Sequence, residues 1–176
     1  MVAFEENHDP IFAFLRRRVG ESDAADLTAE TFLVALREFD RFDSKQGTIR
    51  SWLFGIASNL MRKKARKEQR ELRAFARTGI DPLTVDPMVT VDQRVDAEAV
   101  KPQLARGLAS LSEEDREAIL LFCWADLSYT EIAQALDIPL GTVKSRVARA
   151  RRKLRKSLER GSLIQNTMIV EEAPDG

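Results

Sequence analysis

Apolar residues recur at three- and four-residue spacing along most of this chain, and nowhere alternate long enough to mark a strand. A first helix is expected over 9–20, with Asp9 as N-cap, Pro10 in the first position and Gly20 at its end. A second runs from a cap at Ser22 or Asp23 to about Glu38, with Leu27, Phe32, Leu33, Ala35, Leu36 and Phe39 as its apolar positions. Asp43, Ser44, Lys45, Gln46 and Gly47 make a turn-rich loop. A long helix then starts near Thr48 and continues past Arg70, with Trp52, Leu53, Ile56, Ala57 and Leu60 on one side. The stretch Gly79–Pro87 breaks the pattern and reads as a tether. Beyond Gly107 the helices resume. One is capped by Ser112, with Asp115 placed three residues on, close to a capping box. A short one, Tyr129 to Leu136, is capped by Ser128, and the last runs from about Gly141 to Glu159, closed by Gly161.

The expected fold class is therefore all-α, with two small helical domains joined by a flexible linker. The first domain is 1–78 and the linker 79–104. The second, 105–160, is a helix-turn-helix, and 161–176 is expected to be a disordered tail.

Composition fits this reading and narrows the chemistry. Of 176 residues, 44% are hydrophobic and 32% charged, enough for a core under a highly charged surface. No run of about 18 apolar residues exists to cross a membrane, and the first residues lack a basic start followed by an apolar stretch. A cytoplasmic location is expected. One histidine and one cysteine cannot build an ordinary zinc site or a convincing Cys-His pair, so no metal, cofactor or catalytic residue is assigned and the protein is not expected to be an enzyme. Cys123, inside the apolar run Ala118–Trp124, is expected to be a buried small hydrophobe.

The net charge of zero conceals an uneven distribution. Residues 46–78 hold nine basic and two acidic groups, and residues 141–160 hold nine basic and one acidic, while the segments between and around them are acidic. Two basic blocks on helices suggest two contacts with a polyanion.

The C-terminal block has the pattern of a recognition helix. Val143, Val147, Ala150 and Leu154 share one face, and Ile132, Ala133 and Leu136 of the preceding helix would pack on it, small Ala133 permitting a close crossing. Ser145, Arg149, Arg152 and Lys156 project from the other side, flanked by Thr142 and Lys144. Long donors there can enter the major groove, where arginine and lysine read guanine and hydroxyls reach phosphate or base. In the other block, Asn59, Arg62 and Arg66 lie opposite the apolar stripe, thickened by Lys63, Lys64, Lys67 and Arg70. Such a face can hold a single strand by its phosphates and take an unstacked base near Asn59. Trp52 belongs to the core on this reading.

Together these stretches resemble the extracytoplasmic-function sigma factors, the smallest group of the sigma-70 superfamily. The resemblance is carried by Asp23–Ala35, by Trp52-Leu53-Phe54-Gly55-Ile56-Ala57-Ser58-Asn59, and by Tyr129-Thr130-Glu131-Ile132-Ala133 with Pro139–Arg146, in the family's order over about residues 8–158. It implies docking of Asp26, Glu30 and Phe32 on the clamp helices of bacterial core RNA polymerase. It implies −10 reading by Asn59 and the loop Asp43–Thr48, with Ser44 and Lys45 in it, and a single strand held by Arg62, Lys63, Lys64 and Arg66. It implies −35 reading by Thr142, Lys144, Ser145 and Arg149, with Arg146 and Arg152 on phosphates. It also implies an anti-sigma protein as a partner, with promoter DNA and the polymerase. Three positions depart from the family's habit: Ala29 replaces the usual Gln, Gly55 a commonly basic residue, and Lys63 a frequent Asp.

The polymerase would set the separation of the two readers, giving avidity without new contacts, while the acidic segments screen the basic blocks and leave the free protein a weak binder of duplex DNA. Two rivals lack their parts. A stand-alone helix-turn-helix regulator needs a sensor domain that the N-terminal half does not suggest. A recombinase needs a nucleophile, and the single tyrosine, Tyr129, belongs to the helix-turn-helix.

Overall fold

The computed structural model describes residues 2–77 and 101–171. The expected tether Gly79–Pro87 lies outside the described residues, as do 172–176 at the end of the expected tail. Among the described residues, seven α-helices follow in order: α1 Val2–Val19, α2 Glu21–Arg37, α3 Ile49–Arg77, α4 Lys101–Ala109, α5 Glu113–Cys123, α6 Tyr129–Leu136 and α7 Leu140–Glu171, with a 3-10 turn Phe39–Arg41 between α2 and α3. Helices α1–α3 form one bundle and α4–α7 a second, and α3 also packs on α6. Among the described residues there is no strand.

Helix α1 begins earlier than expected, and Pro10 lies inside it. Proline there forgoes one backbone hydrogen bond. Asn7, Ile11, Phe14 and Leu15 are all buried at helical spacing, so the buried face continues through the proline and carries the helix back. Gly20 does end α1, with φ at +84°, a conformation in which glycine pays no Cβ penalty. Its amide donates to the Arg16 carbonyl at 3.1 Å, and its own carbonyl accepts from Ala24 at 3.1 Å. Gly20 is thereby the N-cap of α2, and Ser22 and Asp23 sit in the first helical turn rather than capping it.

The apolar positions of α2 divide. Ala24, Leu27, Thr28, Thr31, Phe32 and Ala35 are buried, the two threonine hydroxyls donating to the carbonyls of Ala24 and Leu27. Leu33, Leu36 and Phe39, expected on the same stripe, are exposed. Thr48 starts α3 as expected, accepting from the Ser51 amide at 3.1 Å. Leu53, Phe54, Ala57 and Met61 point inward, the Phe54 ring edge-on to Phe14 at 5.4 Å. Trp52 is half-buried, in a cluster with Phe39 and Phe42.

In the second bundle, α4 takes residues 101–104 from the expected linker, with Pro102 in its first turn where its missing N–H has no helical partner to lose. Arg116 donates to the carbonyls of Leu108, Ala109 and Leu111, closing the end of α4 with a side chain. Ser112 caps α5, but Asp115 leaves the capping box open and turns to α7. The full capping box belongs to α6, between Ser128 and Glu131. Gly161 does not end α7, which continues to Glu171. A lone glycine costs about 1 kcal/mol in a helix interior, too little to stop one. The tail expected to be disordered is thus helical over 161–171. Cys123 is exposed, contrary to expectation, because it lies in the last turn of α5, off the face carrying Ala118, Ile119 and Leu121.

The buried apolar residues of both bundles belong to one core cluster, running from Ile11 and Phe54 to Leu121, Ile132 and Val147.

Candidate nucleic-acid interface

The helix-turn-helix is α6, a turn through Asp137, and α7. Asp137 adopts the left-handed conformation, φ 52° and ψ 51°, and its amide closes on the end of α6. Aspartate tolerates this better than most side chains. Ile132 from α6 and Val143, Val147 and Ala150 from α7 are fully buried, and Leu154 is partly buried. The small residue buried in α6 is Ala135, while Ala133 is half-buried. With that stripe fixed, the opposite face of α7 is necessarily outward. Lys144, Ser145, Arg149, Arg152 and Lys156 are exposed, and Thr142 and Arg146 half-exposed.

Two of these side chains are already engaged within the domain. The Ser145 hydroxyl donates to the Thr142 carbonyl at 2.9 Å, one turn back. Arg149 forks onto the buried Asp115, its Nη2 donating to Oδ1 at 2.8 Å and its Nε to Oδ2 at 3.2 Å. The Arg149 guanidinium holds the Asp115 carboxyl below the usual carboxylate range, against the opposing effect of burial. Asp115 therefore fixes the rotamer of a side chain at the centre of the basic face. Sequence spacing gave no hint of this bond, since 34 residues separate the partners.

On the first bundle the basic face is α3 with the preceding loop. Asp43 organises the loop, accepting from the Lys45 amide at 2.9 Å and from Gln46 Nε2 at 3.1 Å, an Asx turn that leaves Ser44 and Lys45 exposed. Asn59 is exposed, and Arg62 donates to its side-chain oxygen. Lys63 and Arg66 project outward. Lys64 does not, for it pairs with Asp23 across α2 and α3 at 2.5 Å.

The third group of expected site residues lies on α2. Asp26 and Glu30 are exposed, one turn apart. Phe32 is not available to a partner: it is 7% exposed, its ring stacked on His8. The outward stripe continues instead through Leu33, 52% exposed, and Leu36, 75% exposed. With about 100° per residue, Leu33 lies roughly 180° around the helix from Ala24, so a wheel phased on the buried threonines would have found it. No group of three or more metal-ligating side chains is present among the described residues. No helix among them is long and apolar enough to cross a membrane.

Among the described residues, a basic outer face of α7 on one bundle and a basic α3 with its preceding loop on the other give two separate positively charged surfaces. Residues 3–71 match sigma-70 region 2, and residues 101–154 match sigma-70 region 4. The sequence is 31% identical over 157 residues to the ECF RNA polymerase sigma factor SigW of Bacillus subtilis, covering 85% of this chain and 83% of that protein. It is 34% identical to EcfG of Rhodopseudomonas palustris, over 81% of this chain and 75% of that protein. In three dimensions it resembles the sigma factor RpoE of Bartonella quintana, solved with the anti-sigma factor NepR (TM-score 0.61, 26% identity, 90% of this chain and 92% of that one). It is equally similar to CnrH, solved with the cytosolic domain of CnrY (TM-score 0.61, 25% identity, 89% and 84%). The chain belongs to the extracytoplasmic-function sigma factors of the sigma-70 family.

Proposed function

We propose that this protein docks on bacterial core RNA polymerase through α2, reads a −10 element with α3 and its preceding loop, and reads a −35 element with α7. Membership of the sigma family supports promoter-specific initiation as the activity, and the matches to both regions disfavour a stand-alone helix-turn-helix regulator. The observation that carries the residue roles is the strict division of α7: Val143, Val147 and Ala150 are fully buried, which turns Lys144, Ser145, Arg149 and Arg152 outward together. Thr142, Lys144, Ser145 and Arg149 would face base edges in the major groove, with Arg146 and Arg152 on phosphates. In the −10 reader, Asn59 with Ser44 and Lys45 would receive an unstacked base, and Arg62, Lys63 and Arg66 would hold the strand. Lys64 serves the fold through Asp23 before it serves DNA.

On the polymerase, Asp26 and Glu30 would meet basic groups of a helical partner, and Leu33 and Leu36 would be covered. The protein performs no chemistry itself and acts in the cytoplasm, where its polymerase is. An anti-sigma protein is its expected regulator, as NepR and CnrY are seen with the two structural relatives. The test is run-off transcription with core polymerase on promoter-bearing DNA. Discrete new starts that vanish with Asn59→Ala and with Arg149→Ala support the assignment. Folded protein that yields neither polymerase binding nor new transcripts overturns it.

A further inference from the structure

Arg149 stands on the outward face of α7, yet it is held from behind by α5. Its Nε donates to Asp115 Oδ2 at 3.2 Å and its Nη2 to Oδ1 at 2.8 Å. The Asp115 side chain is 5% exposed and the Arg149 side chain 47%. The carboxylate thus belongs to the interior of the domain, while the far end of the guanidinium belongs to its surface. Arg155, further along the same helix, shows a looser kind of pairing. Its Nε lies 4.0 Å from Glu159, and both side chains are more than half exposed. Such a pair is too solvated to hold a side chain in one place.

Which edge of the guanidinium the carboxylate takes decides what remains. The N–H donors of an arginine lie in one rigid plane. Nε and Nη2 share the side edge, and Asp115 occupies one hydrogen of each. The parallel N–H bonds at the tip, one on Nη1 and one on Nη2, are left by this contact for a ligand. That tip matches O6 and N7 of a single guanine in the major groove. A free arginine in the same place could turn to a phosphate. Here the hold on Nε sets the direction of the tip, and rotamer freedom is given up in folding rather than in binding DNA. The carboxylate does little to repel DNA, because it is buried and Lys153 and Arg146 add favourable charge beside it. Nor is it needed to bring the two helices together. α5 already packs on α7, with Ala118, Leu121, Val147 and Ala150 buried in the same core.

Building on the −35 role proposed above for α7, we infer that Asp115 is a specificity-determining positioning residue: it takes Arg149 by the side edge and commits the tip to one guanine of the −35 element. Asp115 itself touches no base. Its effect is to turn a general phosphate binder into a reader of one base pair.

The test uses the full chain bound to core polymerase and promoter duplexes randomised across the −35 element. Wild type should select guanine at one position by roughly 5- to 150-fold, the fold-change that a good bidentate pair supplies. Arg149→Lys should lose selection at that position, since an ammonium has no fork, and so identifies it. Asp115→Asn keeps the shape of the side chain but not the charge that holds Arg149. It should lose most of the same preference while the other positions keep theirs. Asp115→Ser serves in the same way should Asp115→Asn fail to fold by circular dichroism. Placing 7-deazaguanine at the selected position removes the N7 acceptor, which should weaken wild type several-fold and leave the Asp115 variant nearly unaffected. A bond that merely ties α5 to α7 would instead lower urea stability and affinity for every sequence alike, and that result overturns the inference. Guanine selection undiminished in the Asp115 variant overturns it as well, with −35 reading by α7 left intact. No preference anywhere in the element with wild type overturns the −35 role and the inference with it.

Discussion

Replacing Leu33 and Leu36 together by serine should break polymerase docking without weakening the fold. Fully burying a leucine is worth about 1.5–3 kcal/mol. The fraction still available to a partner is what each residue exposes, 52% for Leu33 and 75% for Leu36. Complete cover by a partner would then be worth ~2–4 kcal/mol for the pair, or roughly 30- to 700-fold in Kd at 1.4 kcal/mol per decade. Neither leucine belongs to the buried face of α2, so the cost to folding should stay within about 0.5 kcal/mol. The assay is titration of core polymerase with dye-labelled protein, beside urea denaturation of the free variant. A Kd within about threefold of wild type, with the fold intact, would show that α2 does not bury this stripe on the polymerase. The mirror experiment is Phe32→Ala. Phe32 is in the core, so the loss should appear as about 3–5 kcal/mol of stability, and as weaker docking only through unfolding.

Two further outcomes can be measured on the free protein, and a third on its complex with core polymerase. Ser128→Ala removes the hydroxyl that accepts from the Glu131 amide and should cost about 1 kcal/mol in urea denaturation. The Asp115 carboxyl is held below its ordinary value by Arg149, so its contribution is present at neutral pH and is lost as pH falls through the folded-state value. Wild type should therefore lose stability below the ordinary carboxylate range more steeply than Asp115→Asn, and equal slopes would refute the coupling. Asp115→Asn should also loosen Arg149 and weaken discrimination at one −35 position, while Arg152→Ala lowers affinity for all sequences alike, as salt-dependence of binding would report.

Periodicity was enough to read most of the helices, because an amphipathic helix announces its buried face in its spacing. Val143, Val147 and Ala150 are the clearest case, and the outward side of α7 followed from them. Local cap chemistry is equally legible at Ser112 and Ser128, where the partner is three residues away. What the spacing could not give were decisions made by distant residues. Pro10 looked like a helix start because its ring permits one, but burial of Asn7, Ile11 and Phe14 extends the helix through it. The Arg149–Asp115 and Arg18–Glu117 pairs join residues 34 and 99 positions apart, and each side chain alone reads as an ordinary surface charge. Gly55 stood out in the sequence as a departure from the family, and the Ala135 carbonyl supplies its steric reason.

The shared core has a thermodynamic consequence. Glu131 closes the capping box that starts α6 and also meets Thr48 at the end of the loop before α3, while Glu117 forms its two side-chain hydrogen bonds with Arg18 of α1. Folding of the helix-turn-helix and its seating on the first bundle thus draw on the same groups. Heated alone, the chain should absorb its heat in one cooperative transition, with calorimetric and van't Hoff enthalpies in agreement. A chain cut within 79–100 would lose more than a connector: each half would carry an exposed seam, a stranded arginine or glutamate, and a lower melting temperature than the whole.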